Sequence, residues 1–282
     1  MSELDAVVLL VRLVGAMVLD ERARGLTVRE KTPGDPVSSA DELANDMLVS
    51  GLAKIFPGTP VVAEESDSSV VPWPDSGLMI FVDPIDGTRD FVSGGDDFAV
   101  MVGGVVDGTP VWGVVYEPAK DLCVVGNAEG VVLNQGASTL RLSAPPSKPL
   151  EQSTLVVSRT RSGGRARTLL ESLGAKHILP IGGMGTKLML VATGAADAYV
   201  QPFGGGYGWD TAAGEAILRR LGMCLTDAGG GKLSYKREYN ERRMGLIAAG
   251  PELHVLLRDR LAKAVQLMAA DGLFTDWPRR TS

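Results

Sequence analysis

The acids of this chain are the residues best placed to do chemistry. Asp83-Pro-Ile-Asp-Gly-Thr-Arg-Asp-Phe91 sets two acids three residues apart, astride a proline, directly after the apolar run Leu78–Val82. That run reads as a strand that holds Asp83 rigidly, and the turn behind it can return Asp86 to the same point in space. Gly87-Thr88 permits a tight bend with exposed N–H groups. Such a segment suits a hard divalent cation bound by oxygens, with an anion held by backbone N–H. It also suits an ordinary surface turn, because Asp, Pro and Gly are turn formers. Glu64-Glu65 closes a second apolar run, Val61–Ala63, and Asp210 opens a helical pattern at Trp209-Asp-Thr-Ala-Ala-Gly-Glu215. Alone, the glutamates read equally as a solvated edge, and Asp210 and Asp41 as helix N-caps. The case for chemistry rests on their occurring together.

Composition narrows the chemistry further. His177 and His254 are isolated, which argues against a zinc enzyme or a Ser-His-Asp hydrolase. Cys123 and Cys224 are far apart with no Cys-x-x-Cys pair, so two free thiols in a reducing compartment are expected. The net charge of −6 supplies no basic excess for a nucleic-acid polymer. Carboxylates can still bind a small phosphate through bridging cations. The apolar stretch Val7–Leu19 is too short to span a bilayer, is interrupted by Arg12 and follows Glu3 and Asp5 rather than a basic start. No membrane association and a cytoplasmic location are expected.

The elements that must position these acids form a mixed α/β pattern. Helices are expected over about Leu4–Arg24 and Ala40–Ile55, the second capped by Ser38 or Ser39. Strands follow at Val61–Ala63, Leu78–Val82, Phe98–Val106, Pro110–Tyr116 and Leu122–Val125, with a polar loop from Ser66 to Asp75. Residues 144–153 read as a linker between halves 1–148 and 149–282. The second half alternates strands at 154–158, 176–180, 197–201, 223–227 and 245–249 with helices at 165–173, 186–194, 210–221 and from Pro251 to about Ala269. Gly229-Gly-Gly-Lys232 is not a P-loop, because Leu233 follows the lysine and the earlier glycine is missing.

Four segments in order, Lys31-Thr-Pro-Gly-Asp-Pro-Val-Ser-Ser-Ala-Asp41, Glu64-Glu65-Ser66, Asp83-Pro-Ile-Asp-Gly-Thr88 and Trp209-Asp210 with its Ala-Ala-Gly, resemble the signatures of the inositol monophosphatase superfamily. The resemblance runs from Lys31 to about Gly250. It implies a layered αβαβα sandwich of the inositol monophosphatase and fructose-bisphosphatase type, and a magnesium-dependent phosphomonoesterase. Carried over by position, it implies that Glu64, Asp83 and the Ile85 carbonyl bind one Mg2+, and Asp83, Asp86 and Asp210 a second. A weaker third ion would use Glu64. Asp41 and Thr88 would orient the attacking water, with Glu64 beside them in the catalytic set, and the N–H groups of Gly87 and Thr88 would hold the phosphate. A homodimer is common in the wider family.

Four departures resemble the 3′(2′),5′-bisphosphate nucleotidase branch. They are Arg89-Asp90 after the central motif, Val156-Val-Ser158-Arg159-Thr-Arg161, Gly182-Gly183-Met-Gly-Thr-Lys187, and Gln201 where inositol phosphatases carry a glutamate. Arg89, Ser158, Arg159, Arg161, Gly183, Lys187 and Gln201 are therefore the expected substrate contacts. Arginines that fork onto phosphate oxygens suit a second anionic group. Arg161 stands where the branch usually has histidine. The Gly-rich stretch Pro202–Gly208 offers Phe203 or Tyr207 for stacking on a base. The expected reaction is hydrolysis of adenosine 3′,5′-bisphosphate to AMP and phosphate; the alternative is an inositol or other polyol phosphatase. An inactive metal-binding relative would be expected to have lost a metal carboxylate or Thr88, and this chain has lost neither.

Overall fold

Val7, Val11, Val14 and Val18 recur every three to four residues and form the buried stripe of α1 (Glu3–Arg24), which Ser2 caps. The structure, a computed structural model, describes residues 1–74, 76–237 and 244–270. After α1 come the hairpin β1 (Val28–Thr32) and β2 (Asp35–Ser38), α2 (Ser39–Ile55), β3 (Val61–Ala63), β4 (Leu78–Asp86) and the short α3 (Thr88–Val92). A meander follows: β5 (Ala99–Val106), β6 (Thr109–Glu117), β7 (Leu122–Asn127), β8 (Gly130–Gln135) and β9 (Ser138–Leu142). The second half runs β10 (Thr154–Ser158), α4 (Arg165–Ser172), β11 (His177–Ile181), α5 (Met184–Thr193) and β12 (Ala198–Gln201). It ends with α6 (Gly208–Arg220), β13 (Cys224–Asp227), β14 (Leu246–Ala249) and α7 (Pro251–Ala270). The polar stretch from Ser66 carries no helix or strand up to Pro74; its expected end, Asp75, lies outside the described residues, as do residues 271–282 of the expected second half.

Strands β3 to β9 lie side by side in chain order in one seven-stranded sheet, and β3 and β4 are its parallel pair. The second sheet has the order β11-β10-β12-β14-β13 and is parallel around β10 and antiparallel around β14. Alternation along the strands sorts their side chains into layers. Val82, Val100, Val102 and Val114 pack under α1 and α2. Met101, Val115 and Val124 face the opposite way and meet Leu188 of α5 and Ala213 and Ile217 of α6. Val156, Tyr199 and Ala248 close that same middle layer from the second sheet. Leu155, Val157, Ala198 and Val200 point outward and are covered by Leu169 of α4 and Leu253 and Leu257 of α7. The result is the αβαβα order of layers. Among the described residues, no helix is long and apolar enough to cross a membrane.

Helix α6 lies unusually close to the first sheet. A Cβ added at Gly103 would stand 2.5 Å from the Ala213 nitrogen, and one at Gly113 would stand 2.2 Å from the Ala213 oxygen. These glycines let the helix backbone rest on the sheet backbone, and so fix where the first turn of α6, with Asp210, meets the end of β4.

Candidate active site

Regular alternation would send Asp83 and Asp86 to opposite faces of β4, because they stand three residues apart. The pairing with β5 is irregular at this point: Asp83 pairs with Met101, and Asp86 with Ala99. Strand β4 thus holds one residue more than its partner, next to Pro84, which has no N–H to give the ladder. The bulge returns both carboxylates to one side. There they meet Asp210, and one oxygen from each of the three lies within 4.8 Å of the others.

Each carboxylate is fixed differently. Asp86 accepts from the Met184 N–H at 2.7 Å and the Gly185 N–H at 2.5 Å, both in the first turn of α5. Asp210 accepts from the Tyr207 N–H at 2.5 Å. Asp83 Oδ1 is buried and has no hydrogen-bond partner among the described residues. Burial, then the charges of Glu64, Asp86 and Asp210, push the Asp83 carboxyl well above the carboxylate range. Burial, with Glu64 and Asp86, pushes Asp210 up to about 8. Three acids this close, one with an orphaned oxygen, are arranged to bind a positive charge. All the donors are hard oxygens, which fits Mg2+ better than zinc.

Glu64 stands beside this trio. Its Oε1 accepts from Lys31 Nζ at 2.8 Å, and the same amine reaches Glu65 Oε1 at 2.5 Å. Burial acts to lower the Lys31 amine, but the two glutamates outweigh it and hold the amine above its ordinary value. Nothing in the Lys31-Thr-Pro-Gly turn marks this lysine as a partner of residues more than thirty positions away; only the β1–β2 hairpin makes the meeting.

Asp41 does not line the cleft; it stands behind Thr88. Its Oδ2 accepts from the Ser38 N–H at 2.8 Å and the Ser38 hydroxyl at 2.6 Å, and its Oδ1 lies 2.9 Å from Thr88 Oγ1. Thr88 Oγ1 is also 2.9 Å from the Ile85 carbonyl, and its one proton can serve either acceptor.

The cleft, about 420 Å3, is lined by Glu64, Asp83, Ile85, Asp86, Gly87, Thr88, Arg89, Ser158, Arg159, Arg161, Gly183, Lys187, Gln201 and Asp210. All the expected site residues except Asp41 therefore converge. The expected cations are used unequally. Arg89 donates to the Gly34 carbonyl at the hairpin tip. Arg159 pairs with Asp90 and, at 2.6 Å, with Asp97. Lys187 is buried, with Nζ on the Gly182 and Gly183 carbonyls, and burial, partly offset by Asp86, brings its amine down to about 8. Arg161 lines the cleft with no hydrogen bond or ion pair among the described residues. Gln201 accepts from the Tyr199 hydroxyl at 2.7 Å and donates to the Phe203 carbonyl at 3.0 Å. Phe203 packs into the outer core, whereas Tyr207 lies exposed on the cleft wall, stacked on Trp209 at 4.5 Å. The sequence reading missed Thr32, Asp35 and Pro36, hairpin residues that complete the wall.

Gly183 sits against Asp86: an added Cβ would lie 2.5 Å from Asp86 Oδ2. Gly183→Ala is expected to cost about 1–3 kcal/mol by overpacking. Gly163→Ala, where an added Cβ meets nothing within 4 Å, should stay within about 0.5 kcal/mol of the wild type. Urea denaturation of the two variants checks the contrast.

Known proteins are similar to this chain over most of its length. A family model described as the inositol monophosphatase family matches residues 1–267. The 3′(2′),5′-bisphosphate nucleotidase CysQ of Escherichia coli (strain K12) is 30% identical over 239 residues, covering 82% of this chain and 93% of that protein. The 3′(2′),5′-bisphosphate nucleotidase 1 of Mus musculus is 28% identical over 254 residues, covering 79% and 81%. Among solved structures, the extragenic suppressor protein suhB from Bartonella henselae superposes with a TM-score of 0.80 at 26% identity, over 92% of this chain and 98% of that one. The Thermotoga maritima IMPase TM1415 shares the fold, with a TM-score of 0.79 at 24% identity, over 95% and 100%.

Proposed function

The chain belongs to the inositol monophosphatase family of metal-dependent phosphatases that act on small phosphorylated substrates, and from that premise we propose that it removes the 3′-phosphate of adenosine 3′,5′-bisphosphate. The observation that carries the substrate reading is the cleft's division of charge. The cleft that gathers the carboxylates also holds Arg161, a cation with no ion-pair partner among the described residues. A bisphosphate brings one phosphate for the metals and a second anion for that arginine. The nucleotidase relatives at 28–30% identity support the same reading.

Asp83, Asp86 and Asp210, with Glu64 and the Ile85 carbonyl, would hold two Mg2+, and Glu64 a weaker third. Bound there, the ions would lower the pKa of a water and neutralise charge on the phosphoryl and leaving oxygens. The protein's own part is positioning. Asp41 Oδ1 takes the hydrogen of Thr88 Oγ1, so that the threonine oxygen can accept from a water and aim its lone pair. The Ile85 carbonyl, the rival acceptor, is freed for a cation. The N–H groups of Gly87 and Thr88, where α3 begins, hold the phosphate. Gly87 sits at φ +90°, a conformation open to glycine at little cost.

The test is phosphate release from adenosine 3′,5′-bisphosphate beside inositol 1-phosphate, at matched concentrations with Mg2+. Preference for the inositol ester would overturn the nucleotide reading. Arg161→Met is expected to raise KM for the bisphosphate roughly 10- to 100-fold with kcat little changed, the cost of losing one charge-assisted contact. For adenosine 3′-monophosphate, which lacks the second anion, KM should be the same in both proteins. An equal effect on both substrates would remove Arg161 from this role.

A further inference from the structure

Arg159 is not available to a substrate in the way Arg161 is. Its guanidinium forks across two carboxylates of the first half, Asp90 and Asp97. Asp97 in turn holds the chain that starts α5: its backbone oxygen accepts from the Gly183 N–H at 2.9 Å. Its Oδ2 is 3.5 Å from the Gly182 nitrogen. On its other side, Asp97 Oδ1 meets Lys120 Nζ at 3.4 Å, and Lys120 meets the buried Glu117 at 2.6 Å. Glu117 Oε2 lies 3.4 Å from Thr186 Oγ1, in the first turn of α5. Charges thus alternate in sign along Asp90, Arg159, Asp97, Lys120 and Glu117, and this line grips the start of α5 at Gly182-Gly183 and at Thr186. That start is what presents the Met184 and Gly185 N–H groups to Asp86.

We propose that Arg159 is a positioning residue that clasps the two halves together and, through the start of α5, sets the aim of Asp86. The proposal rests on the reading of Asp86 as a metal ligand. Without Arg159, Asp90 and Asp97 would lose the cation they share and repel each other, and the Gly182-Gly183 segment would lose its anchor. Partners that orient a metal ligand commonly change metal affinity 10- to 100-fold when removed.

The experiment is calorimetric titration of the full-length protein with Mn2+, read beside kinetics at saturating metal and thermal melts. Arg159→Met is expected to weaken Mn2+ binding about 10-fold while KM for the bisphosphate changes less than about twofold. Arg159→Lys, which keeps the charge but cannot fork, should fall between. Asp97→Asn combined with Arg159→Met should bind Mn2+ no worse than the weaker single variant, because both break one link. A raised KM with wild-type Mn2+ affinity in Arg159→Met would make Arg159 a substrate contact and overturn the clasp. A lowered Tm with both affinities unchanged would overturn it as well. Asp86→Asn separates the two readings. If it binds Mn2+ like the wild type, the ligand reading falls and the clasp with it. If it loses Mn2+ while Arg159→Met keeps it, the clasp alone falls.

Discussion

Asp210→Asn should lower magnesium-dependent phosphate release by about 10³-fold or more, while the metal-free protein melts at a higher temperature than the wild type. The first effect follows from removing a cation's ligand where phosphoryl charge is neutralised, which is worth several kcal/mol, at about 1.4 kcal/mol per tenfold in rate. The second follows from the crowding of Asp83, Asp86 and Asp210. Asp210 ionises freely in the unfolded chain but is pushed up to about 8 in the folded one, so folding at neutral pH without metal must protonate it at a cost; Asn escapes that cost and keeps an oxygen for the Tyr207 N–H. Melts in EDTA and in Mg2+, beside a turnover assay, give both numbers. Undiminished turnover, or a Mg2+-induced rise in Tm as large as in the wild type, would refute the role given to Asp210.

Thr88→Ala and Asp41→Asn should each lower kcat by roughly 10²- to 10⁴-fold, the usual range for losing a group that manages a proton at the reacting centre. The pair acts as a unit, because among the described residues Asp41 reaches the cleft through its hydrogen bond to Thr88 Oγ1. The double variant should therefore be no slower than the slower single one. Thr88→Ser keeps the hydroxyl and should retain most activity. Mn2+ affinity should be close to wild type in both single variants, which separates them from Asp210→Asn. Additive losses in the double variant would mean that the two residues do not act through each other.

Long periodic segments and local chemistry were legible in the sequence, and tertiary partnerships were not. The stripe of α1 and the alternating second half lie within a residue or two of expectation, because burial on one face repeats at a fixed period. The strand expected over Leu78–Val82, with Asp83 at its end, runs on to Asp86, because proline at a bulge interrupts the ladder without ending the strand. The β8–β9 hairpin went unread: β9 is exposed along almost its whole length, and the short alternation Leu140-Arg141-Leu142 is too brief to announce a strand. Lys187 offers the clearest contrast in the site. The local alternative for a helix-start lysine is a side chain facing water, but this one is buried with its amine on two carbonyls. The spacing of Asp83 and Asp86 was visible, whereas the ties of Lys31 to Glu64 and of Arg159 to Asp97 exist only once distant segments fold together.

Three helices begin on acids in this cleft or directly behind it. Asp41 takes the N–H of Ser38 ahead of α2, Asp210 that of Tyr207 ahead of α6, and Asp86 two from the first turn of α5. A carboxylate at a helix start is worth about 1 kcal/mol to the fold. An alanine scan of the cleft would therefore confound two losses, because each truncation removes a functional oxygen and also frays a helix end. Amide isosteres keep an acceptor for the helix and discard only the charge. A folded but inert form of the protein, suited to trapping a bound substrate, is best sought among asparagine variants.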